Sequence, residues 1–134
     1  MKILRIIFCL VCFAPSAAVG AKSVTLSPEG LLTIEISDFA PNRLVFANGK
    51  IAEVFFYPEE SAKVILHKSG ALFVVPLDGK RYVYLTLISE DGVTQDLRLN
   101  FVKKPPEPIK FLTNNIISKK QANFKQPKGE INHE

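Results

Sequence analysis

Between Leu31 and Phe101 apolar and polar positions alternate in short runs, each closed by a turn signal. Leu31–Ile36 places Leu32, Ile34 and Ile36 on one side and Thr33 and Glu35 on the other, the period-two pattern of a half-buried strand. Similar runs occupy Ser23–Leu26, Arg43–Ala47, Lys50–Phe56, Ala62–Lys68, Leu72–Leu77, Tyr82–Ser89 and Val93–Phe101, and Ile109–Leu112 adds a short edge strand. No stretch carries a helical apolar period of adequate length. Short strands at nearly even spacing predict one all-β domain, an antiparallel β-sandwich or partly open barrel.

The turn residues predict how these strands connect. Asn48-Gly49 predicts a tight hairpin with Phe46 opposite Ile51. Asp78-Gly79 and Asp91-Gly92 predict a meander from Gly70 to Phe101. With a two-residue loop at Asp91-Gly92, Tyr82 meets Phe101, Tyr84 meets Leu99 and Thr86 meets Leu97, which reads as the core face. Val83, Leu85 and Leu87 then lie on the other face, opposite Asn100, Arg98 and Asp96. That makes Val83, Leu85 and Leu87 the candidate protein-interaction face, on a strand apolar on both sides. Pro105-Pro106-Glu107-Pro108 reads as the linker by which the chain leaves the domain.

The ends of the chain differ from its middle. Lys2 and Arg5, then apolar Ile6–Phe13, then small residues up to Ala21, compose a secretory signal peptide over 1–21. Cleavage is expected after Ala21, with Ala18 and Gly20 as alternatives. Both cysteines, Cys9 and Cys12, fall inside this leader, and Phe8 and Val11 before them do not suit lipid attachment. The exported chain then has no thiol, which excludes disulfides, cysteine-held metals and a cysteine nucleophile. Its stability must come from a hydrophobic core and sheet hydrogen bonds.

The domain spans 22–112, and 113–134 form a basic tail rich in Lys, Asn and Gln, predicted to be disordered. Residues 22–102 carry 8 Lys+Arg against 10 Asp+Glu, a balance of −2, whereas 103–134 carry 7 against 3, a balance of +4. The basic character of the chain therefore lies in the tail, and the folded part has no basic stripe interleaved with aromatics that would indicate direct nucleic-acid binding.

Catalytic chemistry is sparse. His67 lies in an apolar strand and His133 beside the C-terminus, so a histidine-rich zinc set is excluded within one chain. Glu59-Glu60 reads as a solvated turn and Asp91 as a hairpin residue. Asp38, Asp78 and Asp96 lack calcium-loop spacing. No cofactor, metal site or enzyme activity is expected.

Asn42-Arg43, Gly49-Lys50-Ile51, Val54-Phe55, Gly70–Leu77, Leu85–Thr94, Leu97-Arg98-Leu99 and Pro105–Ile109, in that order, resemble the N-terminal domain of the TraK family. The similarity spans roughly Leu26 to Ile109. It implies a β-sandwich exported to the periplasm, the secretin-like component of F-type conjugative type IV secretion. It further implies outer-membrane association through partners: a TraV-like lipoprotein, a TraB-like envelope-spanning protein and further copies in a homo-oligomeric ring. TraK proteins continue past the Pro-rich linker into a second β-domain, so this chain reads as the N-terminal domain only, a shortened form. The alternative from another class is a free-standing periplasmic binding or chaperone-like β-sandwich that holds a peptide by strand addition. A small hydrolase would need a second acid or base near His67, and no convincing candidate occurs.

Overall fold

Strands form where the apolar alternation places them: β1 Lys22–Thr25, β2 Leu31–Ser37, β3 Asn42–Phe46, β4 Ile51–Tyr57, β5 Ala62–Leu66, β6 Leu72–Pro76, β7 Tyr82–Ser89, β8 Thr94–Val102 and β9 Ile109–Leu112. The computed structural model describes residues 20–114. The expected leader and tail therefore lie outside the described residues, apart from Gly20, Ala21, Thr113 and Asn114. One sheet has the order β1-β9-β3-β6-β5 and the other β2-β8-β7-β4. The two pack face to face as a β-sandwich.

The sheets are mixed rather than purely antiparallel: β9 runs parallel to both β1 and β3, and β2 runs parallel to β8. Parallel neighbours require crossovers, and here the crossovers pass from sheet to sheet. The core is the apolar sum of the two inner faces, with Leu44, Leu72, Val74, Ile109 and Phe111 from one sheet and Ile36, Leu97 and Leu99 from the other. Phe46 and Phe111 meet at its edge with ring centroids 5.9 Å apart.

The hairpin register differs from the sequence expectation by one residue, with large consequences. The Ser89 N–H donates to the Val93 carbonyl at 2.9 Å and the Gly92 N–H to the Ser89 carbonyl at 2.9 Å. The loop is thus the three residues Glu90-Asp91-Gly92, closed by Gly92 at φ 81°. Tyr82 pairs with Asn100, Tyr84 with Arg98 and Leu85 with Leu97. A one-residue slip moves every side chain to the opposite face. Val83, Leu85 and Leu87 are therefore core, at 0%, 2% and 0% exposure, and not an interaction face. Tyr82, Tyr84 and Thr86 point outward in their place.

Two other turns reverse the chain without making hairpins. Asn48-Gly49 carries it from β3 in one sheet to β4 in the other, so Phe46 and Ile51 are both buried but do not pair. Asp78-Gly79 likewise carries it from β6 to β7, so the meander expected from Gly70 to Phe101 is reduced to the β7–β8 hairpin. A glycine turn fixes a local reversal, whereas the partner of each strand is set by which apolar face must meet the core. The second hairpin of the fold is β5–β6, closed by Lys68-Ser69-Gly70 with Gly70 at φ 83°.

Pro105–Pro108 is also not an exit. It carries the chain from β8 across to β9, which lies between β1 and β3 rather than at an edge. Ile109 and Phe111 are fully inside, alternating with exposed Lys110 and Leu112.

Candidate interaction surface

The outer face of the β2-β8-β7-β4 sheet gathers side chains that the hairpin slip turns outward. Tyr57 on β4 lies opposite Tyr84 on β7, and Phe55 lies opposite Thr86. Phe55 is 59% and Tyr57 73% exposed, with Tyr82 and Tyr84 at 38% each. Four aromatic side chains thus occupy one face of two neighbouring strands.

Polar neighbours hold part of this face in place. The Arg98 guanidinium sits 4.8 Å from the Tyr82 ring centre and 5.8 Å from that of Tyr84. The two tyrosine rings meet edge to face at 5.5 Å. Arg98 Nε donates to Asn100 Oδ1 at 3.1 Å, and Thr86 Oγ1 donates to Asp96 Oδ1 at 2.6 Å. Tyr82 and Tyr84 are held by these contacts, whereas Phe55 and Tyr57 stand on β4, at the edge of the sheet. Rigid aromatics with a polar surround are the composition of protein-binding surfaces.

Among the described residues β4 pairs with β7 alone. A register shift between Ile51 and Glu53 leaves Ala52 as a bulge, and beyond it the strand reads Glu-Val-Phe-Phe-Tyr. Val54 and Phe56 point inward yet are only half-buried, because the sandwich is open along this side. Near the start of β4, Lys50, Ala52, Leu66, His67 and Glu90 line an open depression of about 420 Å³.

His67 is exposed on the β5–β6 loop, its Nδ1 2.8 Å from Ser69 Oγ and accepting the Ser69 N–H at 3.2 Å. The hydrogen bonds are local and serve the turn. Glu59 and Glu60 sit on a single 3-10 turn after β4. Among the described residues no three His, Cys, Asp or Glu side chains are grouped as a metal site.

Residues 25–123 match the family model of the TraK N-terminal domain. The chain belongs to the TraK N-terminal domain family. The match begins inside β1, takes in every later strand and runs past the end of β9 at Leu112. Membership links the chain to conjugative type IV secretion, whose TraK component is structural. No individual curated protein matches the chain.

Of the residues singled out from sequence, Val83, Leu85 and Leu87 belong to the core, and Ala21 lies exposed immediately before β1. Sequence reasoning missed Phe55, Tyr57, Tyr82 and Tyr84. The signal was present as an Asp-Gly preceded by Glu90, which fits a three-residue loop as well as a two-residue one.

Proposed function

We propose that the chain is a structural subunit of the outer-membrane core of a conjugative secretion channel. It is placed in the periplasm and held at the outer membrane by a TraV-like lipoprotein and a TraB-like envelope-spanning protein, with further copies of itself alongside in a ring. The family match over residues 25–123 carries this reading. The aromatic face of Phe55, Tyr57, Tyr82 and Tyr84 supports it, since such a face offers contact area on rigid strands at little cost in side-chain entropy. The role in DNA transfer is architectural; no bond of the substrate is made or broken.

Affinity purification of the tagged chain from cells expressing a complete conjugation set, compared with the chain expressed alone, tests the reading. The expected result is recovery of the lipoprotein and the envelope-spanning protein in one high-mass complex from the first culture, and a monomer or weak associate from the second. A chain that stays monomeric while the same cells assemble their channel and transfer DNA would overturn it.

A further inference from the structure

The β1-β9-β3-β6-β5 sheet has an outer face of its own, on the side of the sandwich away from the aromatic one. Successive side chains on a strand point to opposite sides, so the residues between the buried ones turn outward. Arg43 stands opposite Phe73 and Phe73 opposite Ile65, with Lys63 opposite Val75 and Lys110 opposite Val45. Arg43, Lys63, Ile65 and Lys110 are exposed, while Val45, Phe73 and Val75 are half-buried. Among the described residues no outward position of these five strands carries a carboxylate, and none of the three cations is in an ion pair. The face is therefore apolar and basic, where a solvated sheet face is ordinarily mixed and polar.

The aromatic face carries the opposite sign. Glu35 on β2, Glu53 on β4 and Asp96 on β8 are exposed there beside Phe55, Tyr57, Tyr82 and Tyr84. Among the described residues Arg98 is the one cation that its strands turn outward, and it is half-buried against the two tyrosine rings.

Each face thus has what the other lacks. Guanidinium and ammonium groups pair with carboxylates and rest on aromatic rings, and Ile65 and Phe73 offer apolar cover to rings that water now meets. Either face set against its own kind would oppose like charges, which disfavours that pairing. The two faces of one molecule point away from each other, so the contact that satisfies both lies between copies, head to tail.

We propose that the outer face of the β1-β9-β3-β6-β5 sheet of one copy docks on the aromatic face of the next, setting Arg43, Lys63 and Lys110 against Glu35, Glu53 and Asp96. This rests on the reading that copies of the chain stand side by side, and it names the neighbour that the aromatic face takes. Sedimentation equilibrium of the purified exported chain, carried to millimolar concentration at low salt, tests it. The parent should associate weakly and reversibly, and raising the salt should weaken that association at least tenfold. Arg43→Glu, Lys63→Glu and Lys110→Glu together should abolish it, as should Glu35→Lys, Glu53→Lys and Asp96→Lys together, because each variant then sets like charges against each other. An equimolar mixture of the two variants should associate again, since the reversed face of one matches the reversed face of the other and the unchanged faces match as before. All six positions are exposed, so both variants should keep the circular dichroism of the parent. The salt response of the parent needs no substitution and decides the matter where a variant does not fold. A parent monomeric at millimolar concentration, an association indifferent to salt, or a mixture of folded variants that does not recover would each overturn the inference. Loss in only one of the two variants would do the same, since it would pair that face with its own kind. None of these measurements involves the lipoprotein or the envelope-spanning protein, so failure here leaves the channel reading to its own test. Recovery of the high-mass complex with each charge variant would likewise reject this contact and keep that reading.

Discussion

Asn42 and Ser37 exchange two hydrogen bonds: the Ser37 N–H donates to Asn42 Oδ1 at 2.9 Å, and Asn42 Nδ2 donates to the Ser37 carbonyl at 2.9 Å. Ser37 ends β2 in one sheet and Asn42 opens β3 in the other, so a side-chain amide takes the place of a ladder where the chain changes sheets. Nδ2 also reaches the Ala40 carbonyl at 3.0 Å and that of Val74 at 3.2 Å. Asn42→Ala would strand buried peptide groups with no replacement partner. Urea denaturation should show a loss of about 2–4 kcal/mol, and a loss below about 0.5 kcal/mol would mean water satisfies those groups instead.

Gly70 and Gly92 close the two hairpins with nearly equal positive φ, 83° and 81°, but in different surroundings. A Cβ on Gly70 would lie 2.2 Å from the Lys50 Cβ and 2.8 Å from its Cα, whereas one on Gly92 would meet nothing within 4 Å. Gly92→Ala should cost only the left-handed backbone penalty, about 1–2 kcal/mol. Gly70→Ala adds displacement of the Lys50 backbone, about 1–3 kcal/mol more. Thermal melts of both variants compare them directly, and equal melting temperatures would show that the β5–β6 loop yields without resistance.

The register of the β7–β8 hairpin has its own test. Leu85 is 2% exposed and Tyr84 38%. Leu85→Ser should cost about 3–5 kcal/mol, and Tyr84→Ser less than about 1 kcal/mol, as for a surface position. The opposite order would restore the two-residue loop with Tyr82, Tyr84 and Thr86 inside.

The nine strands of the described residues were legible in the sequence because alternation and turn residues are local signals, and Leu31–Ser37 or Ile109–Leu112 stand out by period alone. Strand partners were not legible. Nothing near Asn48-Gly49 states that β3 will sit between β9 and β6, since that depends on Ile109 and Phe111 more than sixty residues later filling the core. The interaction face failed for a narrower reason. Val83, Leu85 and Leu87 are apolar and so are their strand neighbours Tyr82, Tyr84 and Ile88, so the pattern of β7 gives no preference between its faces, and the loop length alone decided. On the partner strand β8 the inward facing of Leu97 and Leu99 was legible, but not that Gln95 lies inside with them, its Oε1 accepting the Ser27 N–H at 2.7 Å and its Nε2 donating to the Gly30 carbonyl at 2.8 Å. A buried glutamine tied to a distant turn has no signature in sequence.

On the proposed structural role, the aromatic face allows assembly to be tested apart from stability. Phe55, Tyr57 and Tyr84 cover none of the core, so replacing all three with Ser removes little that the isolated fold buries. A surface that neighbours must cover loses its apolar contact area by the same change, and aromatic anchors at interfaces are worth about 2 kcal/mol or more each. The triple variant should melt within a few degrees of the parent, fall out of the high-mass complex recovered from a complete conjugation set, and lower transfer frequency at least tenfold when it replaces the parent copy. Arg98→Ala offers a graded comparison: it frees Tyr82 and Tyr84 to move while leaving both rings in place, so it should weaken association less than the triple change does. Full transfer and full complex recovery with the triple variant would move the contact surface elsewhere on the sandwich, with the β2 margin around Leu31, itself 54% exposed, the next face to alter.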